Sequence, residues 1–282
     1  MKSFRVITRL DVKGSNLVKG VHLEGLRVLG KPQEFANIYY KEGADEIFFQ
    51  DSVASLYQRN TIDEIITETA RNIFIPLTVG GGIRSIDDIQ KILRLGADKV
   101  SINTAAINNP DFINDSAKSF GSSTIVVAIE AIKMKDSKYL CFTDNGREHT
   151  GRNAIDWAEE AQDRGAGEIL LTSIDREGTG KGPDIELIRQ ITDKVKIPVI
   201  SHGGFSNENH IAESYNVGSD AVALASMLHY PLLFEGKIFD KKVEKEGNIE
   251  FISKRNTYKM FKSNKISTIK KYLSNKNINV RV

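Results

Sequence analysis

The stretch IFIPLTVGGGIRSIDDIQKILRLGADKVSINTA (73–105) decides the fold, because the chain repeats it. VKIPVISHGGFSNENHIAESYNVGSDAVALASM (195–227) follows at a constant displacement of 122 residues. Pro76 pairs with Pro198, Gly81 and Gly82 with Gly203 and Gly204, and Asp98 with Asp220. Each copy reads as a short β-branched strand, a glycine turn, an amphipathic helix ending in glycine, and a second strand. GADEIFF (43–49) and GAGEILL (165–171) keep the same displacement. A unit repeated at half length predicts an architecture made of two similar halves.

Working outward, strands and helices alternate along the chain. FRVITRLDV (4–12), DEIFFQD (45–51), IPLTV (75–79) and DKVSIN (98–103) read as strands of the first half. STIVVAIEA (123–131), GEILLTSI (167–174), IPVIS (197–201) and DAVALAS (220–226) read as those of the second. Helices are expected over 32–43, 62–72, 85–96, 110–121, 153–165, 184–194, 207–218 and near 266–276. Eight strands each followed by a helix predict a single α/β domain over 1–282, a (β/α)₈ TIM barrel of two half-barrels. Residues 233–262 interrupt the pattern, and their alternating halves around 245–248 read as a β-hairpin inserted before the last helix.

The 282 residues are 40% apolar and 27% charged, values of a globular chain with an ample core. No apolar run reaches the ~18 residues of a membrane span, and the N-terminus lacks a signal-peptide core, so a cytoplasmic location is expected. The lone Cys141 excludes an intrachain disulfide and a multi-thiolate metal site. Residues 237–282 carry 13 Lys/Arg against 4 Asp/Glu within a net charge of +2. No aromatic-interleaved motif accompanies that charge, so a solvated basic face is expected rather than nucleic-acid binding. His22, His149, His210 and His229 lack metal-ligand spacing, and Cys141 and Trp157 read as core. No metal or organic cofactor is indicated.

Chemistry in such a barrel belongs at the C-terminal ends of the strands. Asp11 ends the first strand and Glu130 the fifth, one carboxylate per half, facing one mouth from opposite sides. Such a pair suits a general acid and a general base. Asp51 and Asp175 also lie at strand ends. Gly80-Gly81-Gly82 with the 101–104 turn, and Gly203-Gly204 with the 223–226 turn, form two phosphate-binding devices on opposite sides. They predict a substrate phosphorylated at both ends. At the other end, Arg5, Glu46, Lys99 and Glu168 open their strands. A buried ring of two cations and two anions must be mutually paired. Periodicity leaves open whether it is a structural plug or the gate of a passage.

DVKGSNLVKG (11–20), TVGGGIRSIDDIQKILRLGADKVSINTAA (78–106), GAGEILLTSIDREGTGKGPD (165–184) and NVRV (279–282) closely resemble the cyclase subunit of imidazole glycerol phosphate synthase. The similarity covers nearly the whole chain except 233–262. It implies a barrel whose N-terminal face docks a glutaminase subunit, and ammonia that crosses the barrel to a bis-phosphorylated ribotide at the mouth. On that resemblance Asp11 is the first catalytic aspartate and Lys19 belongs to a mobile loop that closes over substrate. Gly82, Asn103 and Thr104 match one phosphate site; Gly178, Gly204, Ala225 and Ser226 match the other. Asp51 and Asp175 match mouth-lining acids, and Arg5, Glu46, Lys99 and Glu168 match the ammonia gate.

The chain departs from the family pattern at its mouth. Glu130 replaces the second catalytic aspartate, Arg9 a small residue beneath Asp11, and His202 a serine beside the second phosphate turn. Arg9 is expected to depress the Asp11 pKa by direct pairing. An alternative reading follows, in which a divergent paralogue supplies ammonia for amidination of a nucleotide-linked sugar in surface polysaccharide synthesis. Two weaker alternatives are an isomerase of the neighbouring histidine-pathway step and a non-catalytic subunit that stabilises a glutaminase.

Overall fold

The computed structural model describes residues 3–54, 62–234, 261 and 265–281. Arg5–Lys13 (β1) pairs in parallel with Glu46–Asp51 (β4), and the ladder continues through Leu77–Gly80 (β5), Lys99–Ile102 (β6) and Ile125–Lys133 (β7). Glu168–Ser173 (β10) joins β7, followed by Val199–His202 (β11) and Ala221–Leu224 (β12), and β12 returns to β1. Eight parallel strands thus close a TIM barrel, as the repeat predicts.

Helices return the chain between these strands. Those at Pro32–Lys41, Asp63–Asn72, Ile86–Arg94 and Asp111–Phe120 serve the first half, and those at Ala154–Asp163, Ile185–Lys194 and Glu208–Asn216 the second. Ser85 caps one of them through a reciprocal box with Asp88, and Asn207 caps its repeat partner. The helices give way to Gly43, Gly96, Gly165 and Gly218, all at positive φ and spaced in pairs 122 residues apart.

Strand alternation sorts the side chains. Val6, Leu10, Ile47, Phe49 and Val127 point outward and bury against the helices in the main core, each fully buried aliphatic contributing about 1.5–3 kcal/mol. Ile7, Phe48, Val126, Ala128, Leu170, Ile200, Ala221 and Ala223 point inward and form a separate hydrocarbon cluster on the barrel axis.

Four further strands lie outside the eight that the repeat predicts for the barrel. Asn16–Val21 (β2) and Glu24–Gly30 (β3) form a hairpin after β1; Tyr139–Thr143 (β8) and Glu148–Asn153 (β9) form one after β7. Both turns hold two consecutive residues at positive φ, His22-Leu23 and Asp144-Asn145, again 122 residues apart. The repeat therefore extends to the loops that roof the mouth. The hairpin expected within 233–262 lies outside the described residues, apart from Leu233, Phe234 and Phe261. Helices not resolved by periodicity occupy Thr104–Asn108 and Ser226–Phe234.

Candidate functional site

Asp11, near the end of β1, is buried, and both its oxygens are engaged. Arg9 Nε donates to Oδ1 at 2.9 Å, and Lys19 Nζ, arriving from β2, donates to Oδ2 at 3.1 Å. Burial alone pushes the carboxyl up, but Arg9, then Lys19, reverse this and hold it well below the carboxylate range. Glu130, on β7, lacks such a partner. Its Oε2 is buried without a hydrogen bond. Burial pushes its pKa up to about 7, against the opposing pull of Arg9. The two carboxylates at one mouth are thus driven apart, one a fixed anion and one able to exchange a proton near neutrality.

Lys19 is itself buried between two acids. Its second partner is Glu177, which also accepts from the Leu23 amide through Oε2 at 2.9 Å. His22 Nδ1 meets the Ile174 carbonyl at 2.8 Å, so the whole first hairpin is fastened to the segment after β10. The two hairpin tips touch as well, Asn145 Nδ2 donating to the Leu23 carbonyl at 3.0 Å.

Beneath this roof the two phosphate-type turns differ in access. On one side a cavity of about 330 Å³ is bounded by Arg9, Asp51, Gly82, Asn103, Thr104, Glu130 and Thr172, among others. Gly81 and Gly82 take positive φ, and a Cβ at Gly81 would stand 2.3 Å from the Asp51 carbonyl, so only glycine fits this turn. The second hairpin leans on this side through Asp144 N, which donates to Thr104 Oγ1 at 3.2 Å. Arg84, in the same wall, donates to the Ala54 carbonyl and adds a cation beside the glycines.

The opposite side encloses only about 20 Å³, between Lys19, Glu177, Gly178, His202, Gly204, Ala225 and Ser226. His202 Nδ1 bonds the Ala223 carbonyl at 2.8 Å, and its Nε2 is buried without a partner. Burial, then Arg9 and Lys19, push its pKa well below the ordinary value, so the ring is neutral with the proton on Nδ1.

Of the residues the sequence nominates, Asp51 accepts from the Val53 and Ala54 amides at 3.0 and 2.9 Å, while burial raises its pKa. Asp175 sits at the exposed rim, where Oδ2 accepts from Lys133 N at 2.8 Å. At the other end of the barrel, Arg5 meets Glu46 at 3.1 Å and Glu168 at 3.0 Å. Lys99 meets Glu46 at 3.0 Å and Glu168 at 3.2 Å. Cation and anion alternate around a closed ring, and Thr78 Oγ1 donates to Glu46 at 2.5 Å. Above the ring lies the hydrocarbon layer of Ile7, Phe48 and Leu170.

Glu177, Thr172 and Arg84 were not singled out by the sequence. Thr172 has a signal there, since period-two alternation from Glu168 aims it inward. Arg84 follows the glycine run after one residue, whereas the pairing of Glu177 with Lys19 spans 158 residues and leaves no local trace. Cys141 is buried with its thiol pushed up to about 12, and Trp157 is core, stacked under Arg152. No helix among the described residues is long and apolar enough to cross a membrane.

The sequence pattern of the family described as histidine biosynthesis protein matches residues 5–233. The chain is 58% identical over 204 residues to the imidazole glycerol phosphate synthase subunit HisF of Legionella pneumophila, an alignment covering 72% of this chain and 96% of that protein.

Proposed function

We propose, from the premise that this chain belongs to the histidine-biosynthesis protein family and within it to the HisF cyclase subunits, that it is the cyclase subunit of an imidazole glycerol phosphate synthase. It works as a lyase within a glutamine amidotransferase complex. A glutaminase subunit docks at the N-terminal face, and its ammonia crosses the barrel to a ribotide phosphorylated at both ends. The products are imidazole glycerol phosphate and aminoimidazole carboxamide ribotide.

The observation that carries the reading is the axial order of the barrel: a closed ring of four charges, a hydrocarbon layer, then two carboxylates under a cavity. Charge is very costly in the hydrocarbon layer, whereas neutral NH₃ crosses it as side chains fluctuate. Ammonium is thereby kept from crossing the barrel. At the mouth, ammonia adds to a carbonyl carbon and the oxygen leaves as water; addition and expulsion each take a proton from nitrogen and give one to oxygen. Glu130 is matched to both transfers near pH 7. Asp11 stays ionised and stabilises positive charge that develops beside it. Gly82, Asn103 and Thr104 take one phosphate. Gly178, Gly204, Ala225 and Ser226 take the other after the first hairpin lifts and Lys19 leaves Glu177.

The surface-polysaccharide alternative draws on Arg9, Glu130 and His202; the relatives place the chain in histidine biosynthesis instead. The deciding experiment supplies the ribotide and ammonium salt at high pH to the isolated chain. Imidazole glycerol phosphate is the expected product. No turnover by the folded chain, with ammonium or with glutamine and the glutaminase subunit, sinks the proposal.

A further inference from the structure

Arg9 occupies an uncommon place. It is 1% exposed, leaves β1 pointing inward, and stands above the hydrocarbon layer. Nε holds Asp11 on its own strand at 2.9 Å, and Nη1 donates to Thr172 Oγ1 on β10 at 3.3 Å. Around the barrel, β11 and β12 separate β10 from β1 on one side, and β4 to β7 on the other. The side chain therefore runs as a chord across the barrel axis. Its backbone cannot follow a side-chain swing, because His229 Nε2 bonds the Arg9 carbonyl at 2.9 Å and Tyr39 braces the imidazole at 2.8 Å. The guanidinium also forms part of the wall of the open cavity.

We propose that Arg9 is a positioning residue that bars the upper end of the ammonia passage, bridging Asp11 to Thr172 across the axis, and that breaking the bridge opens the passage into the cavity. The two anchors are unequal. The Asp11 contact is a short charge-assisted bond, whereas the Thr172 contact is a long bond to a neutral hydroxyl. The Thr172 end lets go first. An acceptor that brings an oxygen anion into the cavity competes for the same guanidinium, so occupation of the mouth favours opening. Ammonia then reaches the mouth when an acceptor is there to consume it. This inference rests on the proposed function, which supplies the ammonia and the acceptor.

The test uses the complex with its glutaminase subunit, amide-¹⁵N glutamine and unlabelled ammonium in the bulk. Product formed per glutamine hydrolysed is read at low acceptor concentration. Thr172→Val removes the far anchor with little change of shape. Arg9→Lys keeps a cation beside Asp11 but has a single head that cannot hold both anchors. The wild type is expected near one product per glutamine. Both variants are expected below half of that, with the ¹⁵N fraction of the product falling in step. Variants that keep the wild-type ratio overturn the inference.

A second arm needs no turnover. In the isolated chain, exchange of the Arg9 Nη1 protons, one of which is donated to Thr172, followed by ¹⁵N NMR, is expected to be at least tenfold slower than that of a surface arginine. Thr172→Val, or inorganic phosphate added to the wild type, is expected to speed it. Exchange as fast as at the surface in the wild type, or indifference to both changes, refutes the bar. A wild type that makes no product from either nitrogen source counts against the proposed function, and the exchange arm then decides Arg9.

Discussion

Glu130→Gln removes one ionisation from the mouth, and its effect on stability has a definite sign and pH window. Burial lifts the Glu130 carboxyl from an ordinary 4.5 to about 7, Arg9 pulling the other way. The fold therefore holds a proton that the unfolded chain has released across that interval. Stability falls as pH rises from about 4.5 to 7 and is level beyond. At about 1.4 kcal/mol per tenfold, the loss approaches roughly 3 kcal/mol. Glutamine cannot ionise and escapes it. The stability of Glu130→Gln relative to wild type should therefore climb by roughly 3 kcal/mol between pH 4.5 and pH 8. For a chain of this size that is roughly 5 °C in Tm. His202 titrates in the opposite sense, held neutral in the fold so that stability is lost as pH falls below about 6.5, but it does so in both proteins and cancels. Scanning calorimetry on both proteins at half-unit pH intervals reads the difference. A gap constant within about 0.5 kcal/mol over pH 5–8 would refute the assignment of an elevated carboxyl to Glu130, and with it the proton-shuttling role.

Three further outcomes follow from other parts of the molecule. Lys99→Met breaks the alternation of the lower ring, leaving Glu46 and Glu168 to share Arg5. Glutamine-driven turnover in the complex is expected to fall at least tenfold while ammonium-driven turnover holds within about twofold; equal losses in both assays count against a gate. Glu177→Gln leaves buried Lys19 with Asp11 alone. Urea unfolding at pH 7 should show a loss of about 2–4 kcal/mol, with faster hydrogen exchange at the Leu23 amide, and no loss means the hairpin is held elsewhere. Phe74, 81% exposed at the lower end of the barrel, stands beside a depression of about 350 Å³ edged by Pro76, Leu77 and Asp98. On the proposed docking face, Phe74→Ser should weaken binding of the glutaminase subunit roughly 10–30-fold by titration calorimetry, without lowering the Tm of the isolated chain. Unchanged affinity would place the partner elsewhere.

The barrel was legible because its signals are local and doubled. The proline-led strands, the glycine turns and the glycine-terminated helices each occur twice at one spacing, so one copy supports the reading of the other. The first hairpin was not, because its turn carries no turn chemistry. His22 and Leu23 sit at φ 54° and 61°, where a hairpin of this type ordinarily places asparagine or glycine. Its counterpart, Asp144-Asn145-Gly146, does carry the ordinary signal. What holds His22-Leu23 is tertiary: the Leu23 amide and the His22 ring are both bonded to the segment after β10. In the site, the Arg9–Asp11 pair could be read from strand alternation, since the two residues lie two apart on one face. The bond to Thr172 could not, because it spans 163 residues and depends on how far a long side chain reaches across a closed ring.

The two halves share a scaffold but not a chemistry, and the difference has a physical source. Asp11 and Glu130 occupy matching strands. The first half brings two cations to its own carboxylate, Arg9 from the same strand and Lys19 from the adjoining hairpin. The second hairpin brings Asp144 toward Glu130, a like charge that raises the carboxyl further. Burial acts on both acids in the same direction, so symmetry alone would leave two equivalent groups. The cations decide which one stays ionised. A repeat-built barrel thus obtains an anion and a proton carrier from a pair of similar carboxylates by placing its charges unequally. Arg9 is the residue on which that inequality most depends, since it is bonded to Asp11 and pulls that carboxyl down the most, whereas its pull on Glu130 is overridden by burial. Removing its charge should draw the two carboxyl pKa values together, whatever acceptor the mouth receives.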